Sequence, residues 1–132
     1  MTYRYQIDPG QRLVSVVVTG ELNMAMIKGG IEWLRQEPEF DPSLLQFLDL
    51  RGVTTVSLSP PDLQNLVRAS PFGAGARRAA VTEDDCLFGI VRIYRAFDDV
   101  PGRKFSVFRE IEDARNWLSL DTNATALSTT AP

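Results

Sequence analysis

Histidine is missing from the 132 residues of this chain. It is the commonest general base of enzymes and the commonest protein ligand of metal ions. Its absence excludes Ser-His-Asp and Cys-His catalytic sites. A zinc site would then depend on cysteine, and the chain has a single cysteine, Cys86. We therefore expect neither a bound metal nor a cofactor.

A single cysteine also rules out a disulfide within the chain, which is typical of proteins from a reducing compartment. Long apolar runs are lacking as well. The first residues contain no apolar segment of the kind found in secretory signals. Elsewhere no apolar run approaches the ~18 residues that a membrane-spanning helix needs. The sequence thus predicts a cytoplasmic protein with no membrane span.

Positive charge is in short supply. Lysine and arginine total 14 against 17 acidic residues, which gives a net charge of −3 and an isoelectric point of about 4.9. Proteins that bind nucleic acid carry basic patches or stripes, whereas the arginines of this chain are scattered. We expect no nucleic-acid partner.

The chain has the length of one domain. Its last segment, residues 119–132, is rich in serine, threonine and alanine. Such a segment has too little apolar surface to offset the entropy cost of ordering. The sequence therefore predicts a folded domain over residues 1–118 and a flexible tail over residues 119–132.

Hydrophobic periodicity divides the domain into strands and helices. Residues 3–7 alternate between apolar and polar side chains, and residues 13–19 are mostly β-branched. Pro9 and Gly10 lie between them, so these two strands are predicted to form an antiparallel hairpin. Apolar residues then recur at helical spacing over residues 22–36.

Strands and helices alternate along the rest of the domain. Strands are predicted over residues 44–50, 79–82 and 105–108. The second helix is predicted to begin after Ser59, which can form a capping box with Asp62. The third is predicted to begin at Asp84 or Asp85, and the fourth at Glu110. The order β-β-α-β-α-β-α-β-α predicts an α/β fold, with a single five-stranded mixed sheet, mostly parallel, and four helices.

Gly29 and Gly30 adjoin within the first predicted helix. Glycine lowers helix propensity by roughly 1 kcal/mol relative to alanine. The pair therefore indicates either a kink in the helix or another element packed closely against it.

A candidate site lies in the run LLQFLDLRGV, residues 44–53, where an apolar strand meets two charges. We expect this strand to end at Gly52 in a charged turn, and open α/β sheets place their sites at such turns. Parallel strand order brings further charged residues to the same edge. The candidate ligand- or partner-binding residues of this edge are Glu21, Asp49, Arg51, Asp84 and Arg109.

The alternative interpretation is structural: Asp49 caps the following loop and Arg51 pairs with an acid. Likewise, the acidic run at residues 83–85 resembles a magnesium site, but acids also favour helix N-termini, and capping is the simpler explanation. Cys86 is interpreted as a small core residue, and Trp33 and Trp117 as core aromatics.

Arginines on one helix form a second candidate surface. Arg92 and Arg95 lie about one turn apart and could hold an anionic ligand or an acidic partner. The alternative is a solvated face in which they pair with Asp98 or Asp99. The adjacent pair Arg77 and Arg78 has the same two interpretations.

The order and spacing of these segments resemble the SpoIIAA-like family of the STAS clan, the clan of anti-sigma-factor antagonists. Sec14-type lipid-binding domains are similar in fold. The resemblance implies a β-α superhelix with its helices largely on one side of the sheet, and a function through protein contacts. The matching segments are DLRGV at residues 49–53, the helix at residues 62–66, RRAAV at residues 77–81, FGIVRIY at residues 88–94 and the stretch at residues 107–118.

One position departs from the family pattern. Phosphoswitch antagonists have a D-S-S-G type motif after this strand, and its second serine accepts phosphate. Here Arg51 stands at that position. Because arginine cannot take the serine's place as a phosphate acceptor, the resemblance does not carry the switch function to this chain.

Three classes of function remain open. The first is a non-enzymatic regulatory or protein-interaction module, self-associating as a homodimer through an edge strand with Tyr3, Tyr5 and Ile7. The second is a binder of a small apolar or amphipathic, lipid-like ligand. The third is an enzyme that uses Asp49, Arg51 and Asp84, which we rank below the others. A pocket of the second class would be lined by Met24, Met26, Leu63, Val67, Phe88 and Tyr94.

Overall fold

The computed structural model describes residues 2–119. The predicted tail over residues 119–132 lies outside the described residues except for Ser119. The elements are β1 (Thr2–Asp8), β2 (Leu13–Asn23), α1 (Met24–Gln36), β3 (Leu45–Ser57), α2 (Pro60–Ala69), β4 (Arg77–Val81), α3 (Asp85–Phe97), β5 (Lys104–Phe108) and α4 (Ile111–Leu118).

The predicted α/β fold is confirmed. One five-stranded mixed sheet has the spatial order β1-β2-β3-β4-β5. β1 and β2 form the antiparallel hairpin, and every later neighbour is parallel. The hairpin turn is held by the Asp8 carboxylate, which accepts a 3.0 Å hydrogen bond from the backbone N–H of Gly10.

Strand β3 is longer than the sequence predicts. The expected end at Gly52 is wrong, because β3 continues to Ser57 and stays paired with β2 as far as Asn23. The register between the two strands shifts near Gly52, where a Cβ atom would lie 2.7 Å from Cγ2 of Thr19. Gly52 therefore permits a close approach of two strands at an irregularity in their pairing rather than forming a turn.

The helices begin where local side chains satisfy their first backbone N–H groups. Ser59 and Asp62 form the predicted capping box at the start of α2, with hydrogen bonds of 3.3 and 2.9 Å. Asp84 caps α3 by accepting a 2.8 Å hydrogen bond from the backbone N–H of Leu87. Of the two predicted starts for α3, Asp84 is therefore the capping residue.

The sheet carries three helices on one face and one helix on the other. Helices α1, α2 and α3 cover the face that includes Val16 of β2 and Ala80 of β4. Helix α4 covers the opposite face, where Ala114 and Leu118 pack in one cluster with Phe47 of β3. The expectation of helices largely on one side is confirmed. Within residues 2–119, no helix is long and apolar enough to cross a membrane.

Gly30 lies where β1 passes close to α1. A Cβ atom added there would be 2.2 Å from Cζ of Tyr3, whereas one added at Gly29 would meet nothing within 4 Å. Of the two explanations for the glycine pair, close packing by another element is the one observed. The aromatic face of β1 is thus turned inward, since Tyr3, Tyr5 and Ile7 pack against the main core.

Replacing Gly30 with alanine is expected to lower the free energy of unfolding by about 1–3 kcal/mol, as overpacked cores do. The new methyl group must displace the Tyr3 ring, which is part of the core. Gly29→Ala is the matched control and is expected to stabilise the helix by up to ~1 kcal/mol. Urea unfolding measures both values, and equal effects would contradict the packing of Tyr3 on Gly30.

Candidate functional site

Two of the predicted site residues, Asp49 and Arg51, pair with each other. The buried Asp49 carboxylate accepts hydrogen bonds from the backbone N–H, Nε and Nη2 of Arg51 at 3.1, 3.0 and 2.9 Å. Hydrogen bonding to Asp49 raises the pKa of Arg51, and the charges of Asp49 and Glu83 act in the same direction. The Asp49 carboxylate is therefore already occupied by a cation from its own strand.

The other residues of the predicted edge lie at the same end of the sheet but do not form one cluster. Asp49 is level with Val81 in the β3–β4 register, and Asp84 begins α3 shortly after Val81. Glu21 lies farther out, on the part of β2 that pairs with the extended end of β3. Arg109 follows β5 directly.

Arg109 has its own partners at this edge. Its guanidinium lies 2.7 Å from the carboxylate of Asp85 and 4.3 Å from the ring centroid of Phe88. Both charged side chains are substantially exposed, so this pair contributes little to stability. Within the described residues, no group of three or more His, Cys, Asp or Glu side chains is arranged to hold a metal ion.

The arginines of α3 and two side chains interpreted as core lie on the surface. Arg92 and Arg95 are exposed. Cys86 is exposed, and Trp33 is 57% exposed, so their assignment to the core is wrong. Cys86 follows the Asp84 cap in the first turn of α3, and Trp33 belongs to α1, whose buried residues are Gly30 and Leu34.

An apolar cavity of about 110 Å³, partly open to solvent, lies between the middle of the sheet and helices α1, α2 and α3. All five strands contribute to its wall. Leu48 of the central strand β3 lines the cavity and is half-buried, although three helices cover its face of the sheet. The apolar residues that line the cavity include Val18, Leu22, Ile27, Ile31, Leu34, Leu50, Leu63, Leu66, Leu87, Ile90, Val91 and Phe105.

The predicted lining of such a pocket is partly right. Leu63 and Tyr94 line the cavity, whereas Met24, Met26, Val67 and Phe88 are not part of its wall. Met24 and Met26 begin α1, and Phe88 packs with Arg109 at the edge of the sheet. Periodicity indicates which helix face is apolar but not which turn of that face lies above a void.

A buried arginine is the charged residue of the cavity wall. Arg78 of β4 is 8% exposed, and its Nε and Nη1 atoms donate 3.0 Å hydrogen bonds to Oε1 of Gln46 and the hydroxyl of Tyr94. Its guanidinium carbon also lies 4.9–5.6 Å from the ring centroids of Phe72, Tyr94 and Phe105. These cation–π contacts stabilise a charge that has left water.

Arg78 shares its nearest carboxylate with a second arginine. Asp98, the C-cap residue of α3, receives hydrogen bonds on Oδ1 from Nε and Nη2 of Arg103 at 3.0 and 2.6 Å. Its Oδ2 lies 3.8 Å from Nη1 of Arg78, beyond hydrogen-bond distance, and has no hydrogen-bond partner within residues 2–119. All three side chains are at least nine-tenths buried.

Arg103 also joins three segments of the chain. It donates hydrogen bonds to the backbone carbonyls of Val67 in the last turn of α2 and of Phe72 in the following loop, at 3.2 and 2.8 Å. A cation near a helix C-terminus interacts favourably with the helix dipole. The charge of Arg103 is therefore stabilised by hydrogen bonds to a carboxylate and two backbone carbonyls. The charge of Arg78 is stabilised only by aromatic rings, two neutral acceptors and a distant carboxylate.

Among solved structures, the chain is similar to the crystal structure of an uncharacterised protein of the DUF3478 family from Shewanella loihica PV-4, described as having a SpoIIAA-like fold. The match has a TM-score of 0.58 at 18% sequence identity and covers 89% of this chain and 92% of the other. The chain has a SpoIIAA-like fold. No family model and no curated protein matches it. The resemblance noted in the sequence is thus confirmed at the level of the fold, and the cavity lies inside this SpoIIAA-like domain.

Nothing in the sequence marks Asp98 and Arg103 as interior residues. The position of Arg78 on the inner face is detectable in principle, because Arg77 and Arg78 must point to opposite faces of one strand. Which of the two is buried depends on Phe72, Tyr94 and Phe105, which come from separate parts of the chain.

Removing Arg103 is expected to cost far more stability than removing Arg78. Arg103→Met removes the hydrogen bonds that Arg103 donates to Asp98 and to two backbone carbonyls. Breaking a buried ion pair costs about 3–5 kcal/mol of stability. Arg78→Met leaves the Asp98 pair with Arg103 intact and is expected to cost about 1–3 kcal/mol, through its unpaired acceptors. Urea unfolding gives both values, and a larger loss for Arg78→Met would contradict this division of roles.

Proposed function

We propose that this protein is a non-enzymatic binding module that holds a small apolar or amphipathic ligand in the cavity beneath α2. The observation that carries the proposal is the void itself, lined by side chains from all five strands and three helices. Protein cores normally pack to the density of organic crystals, with few voids larger than a water molecule. A partly open apolar cavity against the middle of the sheet therefore has room for an occupant.

The apolar lining of the cavity supports this proposal. The cavity is partly open to solvent, so its apolar walls face water in the free protein. A ligand that covers those walls gains about 25 cal/mol for each Å² of apolar surface removed from water. A dry apolar cavity of ~150 Å³ can bind benzene, so the ligand group that enters here is a single ring or a short branched chain.

The engagement of the charged residues supports a non-enzymatic role. Of the three residues proposed for an enzyme, Asp49 is hydrogen-bonded to Arg51, and Asp84 is committed to capping α3. A general base needs a lone pair free to reach the proton that it abstracts.

The lone cysteine, exposed on the surface, agrees with a cytoplasmic location, in which thiols stay reduced.

Filling the cavity is expected to abolish ligand binding without unfolding the protein. The probe is p-cresol, an uncharged amphipathic ring, and binding is followed by shifts of backbone amide signals in heteronuclear NMR spectra. In the wild type, saturable shifts are expected at the residues that line the cavity. Leu48→Phe should weaken p-cresol binding at least tenfold, because the larger side chain projects from the central strand into the void.

The control for this experiment lies on the same strand. Leu45 is also half-buried but packs with the opposite cluster beneath α4, so Leu45→Phe changes the same strand outside the cavity. It is expected to leave p-cresol binding within twofold of the wild type. Wild-type protein without saturable shifts at the lining residues, or equal losses in the two variants, would refute the cavity as the binding site.

A second function, protein interaction, is favoured by the edge of the sheet formed by β1. Within residues 2–119, β1 pairs only with β2, so its outer edge is available to another strand. Trp33 lies beside this edge, 57% exposed, and lines a shallow depression together with Tyr3, Arg4, Tyr5, Gln6 and Ser15. Exposed aromatics of this kind are frequent interface hot spots. We propose that the protein forms a homodimer through this surface.

Removing Trp33 is expected to dissociate this dimer. Sedimentation equilibrium at micromolar concentrations should show a wild-type dimer and a Trp33→Ser monomer, because the indole supplies the largest apolar contact beside β1. Ile93→Ser, on the exposed side of α3, is the control and should remain dimeric. A monomeric wild type, or a dimeric Trp33→Ser, would show that this edge is not the interface.

A further inference from the structure

We propose that the ligand of the cavity carries a carboxylate, which pairs with Arg78 while its apolar part fills the void beneath α2. This inference rests on the proposed ligand-binding function and specifies the chemical class of the ligand. It is carried by a buried imbalance of charge beside the cavity. Arg78 lines the cavity wall, and together with Arg103 and Asp98, which are not part of that wall, it forms a group called here the arginine cluster.

The arginine cluster has a net charge of +1, because two guanidinium groups share one carboxylate. Its three side chains are at most 9% exposed, so water compensates little of that charge. Buried charges in proteins are normally paired or bound to a counterion. Here the polar neighbours of Arg78, Gln46 and the hydroxyl of Tyr94, are neutral amide and phenol groups.

Tyr3 does not supply the missing negative charge. Its ring is packed against Gly30, and it lines the cavity. Burial raises the pKa of Tyr3 to about 12, and the positive charge of Arg78 opposes that shift only in part. The phenol therefore stays neutral at physiological pH and offers a hydrogen-bond donor rather than a counterion.

The guanidinium of Arg78 has a donor left for a ligand. Nε and Nη1 are engaged by Gln46 and Tyr94, and within the described residues no acceptor is hydrogen-bonded to Nη2. Three aromatic rings lie around the guanidinium, and Arg78 itself is part of the cavity wall. An acid placed in the cavity can accept a charge-assisted hydrogen bond from this side chain.

The size of the imbalance favours a carboxylate over a phosphate. One carboxylate brings a single negative charge, which makes the arginine cluster neutral. A phosphate monoester carries between one and two negative charges at neutral pH and would leave part of its charge buried without a partner. A buried charge without a partner of opposite sign is strongly unfavourable.

The test compares isosteric ligands on the wild-type protein. The probes are 4-methylbenzoate, 4-methylbenzamide and 4-methylphenyl phosphate, titrated by calorimetry at neutral pH. We expect 4-methylbenzoate to bind at least tenfold more tightly than the amide and more tightly than the phosphate. An amide that binds as well as the benzoate would overturn the carboxylate assignment while leaving cavity binding intact. A phosphate that binds tightest would overturn it as well.

Variants at Arg78 and Arg77 test whether Arg78 causes the preference for 4-methylbenzoate. Arg78→Met is expected to lose the tenfold preference and to bind 4-methylbenzoate no more than about twofold more tightly than 4-methylbenzamide. Arg77→Met is the control, because Arg77 is the preceding residue of β4 and instead donates a 2.8 Å hydrogen bond to the carbonyl of Trp117 in α4. A preference that survives in Arg78→Met, or that disappears in Arg77→Met, would refute the proposal. Absence of binding by both the amide and p-cresol would refute the cavity function itself.

Discussion

Two arginines share one carboxylate in the interior of this domain, and the arrangement of the helices depends on that contact. Arg103 binds Asp98 at the end of α3 and the carbonyls of Val67 and Phe72 at and beyond the end of α2. It thereby fixes the C-terminal ends of two helices to each other. Moving a charged group out of water costs several kcal/mol per ion. The hydrogen bonds of Arg103 offset that cost.

The cavity follows from how the helices are supported. α2 packs mainly against α3 and α1, and Arg103 connects its C-terminal end to Asp98. The side of the void at β1 is closed by Tyr3, which has room there because Gly30 lacks a side chain. The result is an apolar space with one cationic wall, an environment suited to an amphipathic acid.

The fold could be predicted from the sequence to a large extent, because it depends on local signals. The alternating run of β1, the capping box at Ser59 and the Asp84 cap are each encoded within a few residues. The long β3 could not be predicted, since the role of Gly52 depends on Thr19 in another strand. The arginine cluster beside the cavity could not be predicted either. Asp98 looks like part of a solvated helix face, and its burial requires Arg103, five residues later, to turn back toward it.

A crystal structure with bound 4-bromobenzoate would test the central claim, that a cationic wall faces an apolar void, most directly. Anomalous scattering locates the bromine atom independently of the rest of the ligand. We expect bromine among the apolar side chains beneath α2 and the carboxylate within hydrogen-bond distance of the Arg78 guanidinium. A ligand bound with its carboxylate away from Arg78, or a cavity closed by its own side chains with the ligand bound on the surface, would contradict it.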